Sequence, residues 1–370
     1  MSKLIRYGLY LLALTLPLQT RYIFVYGQLN NGPWTYGDIS LYATDILIIA
    51  IALLAIIKQF PQRLNLPKYF YWLPVLFIAA LLSVAVAINP SLAVFALVKL
   101  IIGLLLFRLL LTQNYNHLKF WLFFLIGASL EAVFAIWQFL MQGNGPNKWL
   151  GLATHTAKTL GTSVVEIENS SGLWERWLRA YGTLDHPNIL GGLLAISLLI
   201  ALILIIKKGK TNDWQVRFLH LTIILISAGL FFTLSRTAWL AFIVGLIILI
   251  IQQRSQWKIW LPDILIIATI IACLMYQYHP QALSRFGDLH YVEVKSIEER
   301  LNLTEQAQGL IQTNWLTGIG LGNYGLAAHQ INRPQVSYWY QPVHNTWLLI
   351  FVEIGLLGIM AMLLFISGLV

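Results

Sequence analysis

The sequence predicts an all-α, polytopic integral membrane protein with about ten transmembrane helices and two long loops on one face. Of its 370 residues, 58% are hydrophobic and only 11% are charged, whereas a soluble domain carries roughly a quarter charged residues. The mean hydropathy is +0.71. The apolar residues also form runs that can each cross a bilayer of about 30 Å, such as Tyr71–Ile88, Phe120–Met141 and Ile189–Ile206.

The predicted spans follow these runs. They cover residues 4–18, 40–57, 71–88, 91–111, 120–141, 188–206, 218–234, 236–251, 261–278 and 344–366. The first span has the charge pattern of a signal peptide but no small-x-small cleavage site, so we expect a retained helix. We interpret residues 1–370 as a single membrane domain. Because Val370 lies within an apolar run, we expect further helices in a longer polypeptide.

The positive charge of the chain follows its predicted topology. A net charge of +9 in a soluble protein would raise nucleic acid as a partner. If the N-terminus is inside, however, almost all charged residues of the short inner loops are Lys or Arg, for example Lys207 and Lys208. In the outer segments, positive and negative charges balance. This is the positive-inside bias of membrane proteins. The sequence therefore predicts a lipid bilayer as the environment and no nucleic-acid partner.

The sequence contains no clear motif for binding a metal or a cofactor. The single cysteine, Cys273, lies in an apolar run, which excludes a disulfide framework and a Cys-based metal site. His186 and His344 are isolated, so metal-ligand spacing is absent and no metal or cofactor is predicted. Gly320–Gly325 fits G-x-G-x-x-G, but no strand precedes it. We interpret these glycines as a tight turn.

Two long segments lie on the outer side, at residues 142–187 and 279–343. Long connections are usually functional or disordered, and the Trp and Tyr residues spread through both segments favour ordered loops. Ser296–Thr313 alternates apolar and charged residues with the period of an amphipathic helix. We expect this helix to lie on or near the outer membrane surface.

Four charged residues are candidates for positions deep within predicted spans, where an ionised side chain is costly unless it is paired or hydrated. They are Asp45, Lys99, Glu131 and Glu353. Lys99 and Glu131 lie at similar depth in adjacent helices, so the pair forms either a helix-to-helix ion pair or part of a polar cavity that opens outward.

Basic residues recur at predicted outer helix ends. Arg179 and His186 precede one helix, Arg236 occupies a sharp turn, Arg300 lies in the amphipathic stretch and His344 precedes the last helix. Taken singly, an Arg at a helix end usually anchors at the interface, and a His there usually caps the helix. Together they predict an anion site, because Arg binds phosphate through a planar fork. A His can accept a proton from a hydroxyl near neutral pH.

The order of these motifs resembles a known superfamily. The chain reads R-A-x-G-T-x-x-H-P-N, then S-R-T-A-W-L-A, then an Arg-led helix with G-x-G-x-G-N-Y, then H-N-T-W-L-x-x-x-x-E-x-G-L-L-G. This order is similar to that of the O-antigen ligase and polymerase superfamily. The resemblance covers Arg176 to the C-terminus. Before Arg176, the helix count and the topology agree with it.

This resemblance implies a multi-pass glycosyltransferase of the bacterial inner membrane, with a GT-C-like ligase fold and no metal. Such an enzyme transfers a glycan from undecaprenyl pyrophosphate to a hydroxyl of a glycan, a lipid or a protein at the periplasmic face. Because nucleotide sugars are cytoplasmic, an outward-facing site needs a donor that the membrane delivers. Arginines suit the pyrophosphate leaving group of that donor.

The resemblance also implies roles for individual residues. Arg236 and Arg300 would bind the pyrophosphate, with Arg179 as a third arginine, and His344 would orient or deprotonate the acceptor hydroxyl. The substrate-binding and supporting positions would be His186, Asn323, Tyr324, Asn345 and Glu353. Among these, Asn323 and Tyr324 would line the sugar side.

Two other functions stay open at this point. A transporter of a small anion such as bicarbonate would also use an arginine-lined vestibule, but the sequence lacks the inverted repeat that many transporters show. A scaffold for envelope assembly would leave Arg236 and His344 without a role. Ligase and polymerase share their donor chemistry and differ in the acceptor, so the sequence alone does not separate them.

Overall fold

A computed structural model describes residues 1–58, 68–159, 161–168, 171–209, 213–285, 291–332 and 335–368. In these ranges it contains thirteen α-helices, which are α1 Ser2–Thr15, α2 Ala43–Ile57, α3 Trp72–Ala85, α4 Pro90–Thr112, α5 His117–Met141, α6 Pro187–Lys208, α7 Trp214–Phe232, α8 Arg236–Gln252, α9 Trp257–Gln277, α10 His279–Leu283, α11 Tyr291–Asn314, α12 Tyr324–Ile331 and α13 Thr346–Ser367.

Short strands form two-stranded sheets between the helices. The strands are β1 Arg21–Val25, β2 Gln28–Leu29, β3 Gly32–Pro33, β4 Ile39–Tyr42, β5 Gly143–Asn144, β6 His155–Thr156, β7 Val164–Glu168 and β8 Trp174–Leu178. They pair as β1 with β4, β2 with β3, β5 with β6 and β7 with β8. The predicted loop 142–187 therefore holds two strand pairs.

The all-α, polytopic prediction is confirmed. Each of the ten predicted spans overlaps one helix, from α1 to α9 and α13. Among the described residues, six helices are long and apolar enough to cross a membrane, whereas α2, α3 and α8 are apolar but shorter. The number of about ten spans stays a prediction. The amphipathic segment Ser296–Thr313 lies within α11 as expected, and its location on the membrane surface stays a prediction too.

The first of two compact units comprises Met1–Arg21, Tyr42–Leu47 and Asn114–Asp288. In its core, α5 packs against α1, α6 and α7, and α6 also contacts α8 and α9. Leucines and alanines without exposed surface fill the interior. At Gly229 of α7, a Cβ atom would lie 2.9 Å from Cα of Ala132 in α5. Small residues permit this close approach of two helices, as is typical of membrane bundles.

The second unit comprises Tyr22–Leu41, Ile48–Gln113 and Leu289–Val370. Here α13 packs against α3, α11 and α12. Its apolar core includes the buried side chains of Trp34 and Tyr324. Helix α13 is interrupted at Gly355, whose φ of 67° and ψ of −168° are not helical. The apolar run of residues 344–366 gives no indication of this break.

Candidate functional site

In the first unit, the segment Arg179–Asn188 leads from β8 into α6. His186 caps α6, because its Nδ1 accepts a hydrogen bond of 3.0 Å from the amide of Asn188. Pro187 occupies the first helical position, where its missing N–H costs nothing. His186 is half-buried, and the neighbouring Asp185 is exposed. One polar residue of this motif, His186, therefore serves as the N-cap of α6.

Arg179 points into the protein, with 4% of its surface exposed. Its Nε donates to the carbonyl of Thr233 at 2.9 Å, and its Nη1 donates to Oγ of Ser163 at 2.8 Å. Its Nη2 donates to Oδ1 of Asn188 at 2.7 Å. The guanidinium therefore ties both ends of the motif to the end of α7. Its contact with pyrophosphate stays a prediction.

Helix α5 holds the middle of the same motif through Glu131. One carboxylate oxygen accepts from Oγ1 of Thr183 at 2.6 Å, and the other accepts from its amide at 2.8 Å. Gly182 has a φ of 60°, and a Cβ atom there would collide with this carboxylate. Glu131 is thus hydrogen-bonded inside the first unit. Lys99, in the second unit, lies over the ring of Phe95, and the predicted ion pair with Glu131 stays a prediction.

Gln138 provides a second contact two turns further along α5. Its Oε1 accepts from the amides of Tyr181 at 2.7 Å and Gly182 at 3.1 Å. Its Nε2 donates to Asn144. Because Glu131 and Gln138 lie seven residues apart on one helix face, α5 satisfies three consecutive amides of the motif.

Arg236 is the first residue of α8 and is exposed. The turn before it is tight, since Leu234 adopts a φ of 47°, and Ser235 caps the helix by accepting from the amide of Ala238. Nη1 of Arg236 donates to the carbonyl of Arg285 at 2.6 Å. The structure thereby places a second arginine beside Arg236. Arg285 belongs to none of the four motifs, so the motif order does not indicate it.

In the second unit, the glycine-rich segment that begins at Gly318 packs into the break of α13. The amides of Ile319 and Gly320 donate to the carbonyls of Val352 and Glu353 at 2.9 and 3.1 Å. Gly318, Gly320 and Gly322 all have positive φ, a region that favours glycine. The tight turn predicted for Gly320–Gly325 is confirmed at Gly320 and Gly322, whereas Gly325 lies within α12.

Glu353 is buried at this junction, with 8% of its surface exposed. Its carboxylate accepts from the amide of Tyr324 at 3.3 Å and from the amide of Gly322. These amides lie at the start of α12, where a negative charge is favourable. Glu353 therefore holds the glycine-rich segment against α13.

Asn323 and Tyr324 have no exposed surface. Oδ1 of Asn323 accepts from the amide of Asn89 at 2.7 Å, and the hydroxyl of Tyr324 donates to the carbonyl of Leu303 at 2.8 Å. Burial raises the pKa of Tyr324, so its hydroxyl stays protonated. Both side chains join helices of the second unit, and their lining of a sugar site stays a prediction.

His344 and Asn345 precede α13 and are exposed. Asn345 caps the helix by accepting from two amides of its first turn. Partial desolvation lowers the pKa of His344 below its ordinary value of 6.5, and the charge of Arg300 lowers it further, while Glu299 opposes the shift. Arg300 is exposed on α11. His344 is therefore a neutral imidazole at pH 7, the form that accepts a proton.

The structure separates the nine predicted site residues by exposure. Exposed side chains belong to Arg236, Arg300, His344 and Asn345, and that of His186 is half-buried. Four others are buried, namely Arg179, Asn323, Tyr324 and Glu353. Arg179, His186 and Arg236 belong to the first unit, and the other six belong to the second.

One comparison with known families bears directly on these residues. Residues 221–363 match a family model. The matched family is O-antigen ligase. The O-antigen ligase match includes Arg236, Arg300 and His344, and it confirms the resemblance inferred from the motif order. It supports a glycosyltransferase of the ligase or polymerase type in a multi-pass membrane protein. A search of curated proteins finds no match.

Proposed function

We propose that the protein transfers a glycan from undecaprenyl pyrophosphate to an acceptor hydroxyl on the extracytoplasmic face of the bacterial inner membrane. The observation that carries this proposal is the exposure of Arg236, Arg300 and His344. These are the residues that the motif order assigns to the chemistry. Buried positions of the same motifs bind the protein itself, which leaves these three side chains to act on substrates.

The reaction requires a base for the acceptor and a cation for the leaving group. Neutral His344 accepts the proton of the acceptor hydroxyl, whose oxygen bonds to the anomeric carbon of the donor glycan. The bond from that carbon to the pyrophosphate oxygen breaks, and undecaprenyl pyrophosphate leaves. Arg300 and Arg236 stabilise its negative charge, since the guanidinium fork matches phosphate geometry. We assign Arg236 to this step on the motif order.

The buried residues position the motifs in our proposal. Arg179 anchors the segment before α6, and Glu353 anchors the glycine-rich segment. Asn323 and Tyr324 fasten that segment to its neighbours, and Asn345 caps α13. Half-buried His186 is then the remaining motif residue proposed to contact the substrate. Transfer to the acceptor proceeds without a metal in this scheme.

The proposal is tested with purified protein in nanodiscs, a glycan-charged undecaprenyl pyrophosphate and a panel of glycan, lipid and protein acceptors. The readout is release of undecaprenyl pyrophosphate with and without each acceptor. We expect acceptor-dependent release that His344→Ala abolishes and that His279→Ala retains. His279 is an exposed histidine outside the four motifs, so it provides the matched control.

The acceptor that responds decides between ligase and polymerase. A growing glycan of the same repeat unit as acceptor indicates a polymerase, and a lipid or protein acceptor indicates a ligase. No release with any acceptor, combined with bicarbonate uptake into proteoliposomes that Arg236→Gln reduces, would contradict the proposal and favour anion transport.

A further inference from the structure

A cavity of about 460 Å³ lies in the first unit, where the start of α5 meets the end of α6. The positive-inside pattern assigns this end of both helices to the cytoplasmic side. The cavity is therefore distinct from the outer motifs proposed for glycan transfer. Its volume falls in the range of about 300–1,000 Å³ that is typical of small-molecule sites.

The walls of the cavity are apolar on the side of the membrane interior. They include Trp121 of α5 and Ile200 and Ile203 of α6. Trp121 and Ile203 are each 36% exposed, so the cavity opens sideways from the helix pair. Ile200 lies seven residues before Lys207, which places it about 10 Å further into the membrane at a rise of about 1.5 Å per residue.

Polar groups line the opposite end of the cavity, at the membrane surface. Lys207 and Lys208 end α6, and His117 begins α5. Nζ of Lys208 lies 2.5 Å from Oδ2 of Asp213. That hydrogen bond lowers the pKa of Asp213, so the carboxylate is ionised at neutral pH and balances Lys208. Lys207 then supplies the net positive charge, and the imidazole of His117 supplies an N–H donor in either protonation state.

We propose that this cavity binds one anionic phospholipid of the cytoplasmic leaflet. Its phosphodiester lies against Lys207 and His117, and one acyl chain lies along Trp121 and Ile203. Basic pockets between membrane helices on the cytoplasmic side suit such headgroups. A free phosphate would leave the apolar wall uncovered. A phosphatidylcholine would bring a quaternary ammonium next to Lys207, where like charges repel.

The bound lipid bridges α5 and α6 at the end opposite to the Glu131 and Gln138 contacts. A ligand that binds the folded state alone raises the melting temperature, and the stabilisation grows with the logarithm of one plus the ratio of free ligand concentration to Kd. Thermal stability therefore reports lipid binding without any assay of glycan transfer.

The test uses the purified full-length protein, delipidated in a neutral detergent and titrated with dioleoyl phosphatidylglycerol. Dioleoyl phosphatidylcholine and inorganic phosphate serve as comparison ligands. The variants are Lys207→Gln, Ile203→Trp, which fills the apolar part, and Lys258→Gln as a control. Lys258 is an exposed cation at the start of α9, and it lies outside the cavity.

We expect phosphatidylglycerol alone to raise the melting temperature of the wild type. Lys207→Gln should weaken its apparent affinity by about fivefold, the effect of one lysine near an anionic surface. Ile203→Trp should abolish the effect, and Lys258→Gln should retain it. Equal stabilisation by phosphatidylcholine or by inorganic phosphate would overturn the proposal. An equal loss of apparent affinity for phosphatidylglycerol in Lys207→Gln and Lys258→Gln would also overturn the proposal, because it would indicate a diffuse attraction to the charged surface.

Either side-chain variant can be checked for folding by its melting temperature in lipid-free detergent. Ile203 and Lys207 both lie at the protein surface, so we expect wild-type stability there. If Lys207→Gln is unstable without lipid, Ile203→Trp carries the test by itself, because it keeps every charge. An Ile203→Trp variant with undiminished stabilisation by phosphatidylglycerol would reject the cavity as the lipid site.

Discussion

At the scale of single residues, the polar side chains of the motifs divide into a buried group and an exposed group. Arg179 and Arg236 both looked like phosphate-binding arginines in the sequence. The guanidinium of Arg179 donates to three acceptors inside the protein, whereas the side chain of Arg236 is exposed. The difference arises from acceptors such as Thr233, which is 54 residues away along the chain. No local pattern can contain that information.

We expect Arg236→Lys to lower kcat/KM for glycan transfer by at least about tenfold although the charge is kept. An ammonium does not reproduce the two parallel hydrogen bonds of the guanidinium fork. The control is Arg176→Lys in β8, where the arginine forms a loose pair with Glu166 at 3.9 Å. Wild-type kinetics in Arg236→Lys would remove this residue from pyrophosphate binding.

The pH dependence of transfer should follow the protonation of His344. Because its pKa lies below 6.5, the neutral base predominates at pH 7. We therefore expect kcat/KM to fall only as the pH approaches and drops below the pKa of His344. Removing the cation in Arg300→Gln should raise the pKa of His344 and move the acid limb to higher pH. Glu299→Gln should move the limb to lower pH. A limb that stays fixed in both variants would separate His344 from the proton transfer.

At the scale of elements, long helices were predictable, and the segments that interrupt them were not. Apolar runs of about twenty residues predict a helix by themselves, which is why all ten predicted spans overlap helices. The break in α13 and the short helix α12 depend on hydrogen bonds from Ile319 and Gly320 to carbonyls of another element. Glu353 was singled out in the sequence as an intramembrane charge, and its role at this junction required the structure.

Glu131→Ala should destabilise the first unit, because it leaves the amide and the hydroxyl of Thr183 without their acceptor. Each unsatisfied buried group costs about 1–3 kcal/mol. Glu131→Gln keeps one acceptor oxygen and should cost less. The measurement is the melting temperature in detergent, read with the transfer rate. An Ala variant as stable as the Gln variant would show that the contact with Thr183 adds no stability.

Gly355→Ala should also destabilise the protein. The φ of 67° and ψ of −168° lie in a region that is essentially confined to glycine and costs another residue about 1–3 kcal/mol, and a Cβ atom would collide with the carbonyl oxygen of Leu316. The matched control is Gly192→Ala in α6, where a Cβ atom meets no neighbour within 4 Å. We expect the control to be neutral or stabilising, since Ala favours a helix. Equal melting temperatures for the two variants would contradict a required break at Gly355.

At the scale of the whole molecule, composition predicted the membrane class, and the motif order predicted the family. The apolar helices confirm the membrane class, and the match of residues 221–363 to the O-antigen ligase family model confirms the resemblance over that part of the chain. Charge asymmetry predicts the orientation. What the sequence could not supply was which motif residues are exposed, because burial is set by contacts between distant segments. That distinction carries the account of Arg236, Arg300 and His344 as the groups that act on substrates.

The most direct test of that account is chemical rescue of His344→Ala. Acceptor-dependent release of undecaprenyl pyrophosphate is measured with and without added imidazole. Because position 344 is exposed, a small base can replace the missing side chain. We predict loss of release in the variant and partial recovery that increases with the concentration of neutral imidazole. A His344→Ala variant that releases undecaprenyl pyrophosphate at the wild-type rate without imidazole would contradict the account.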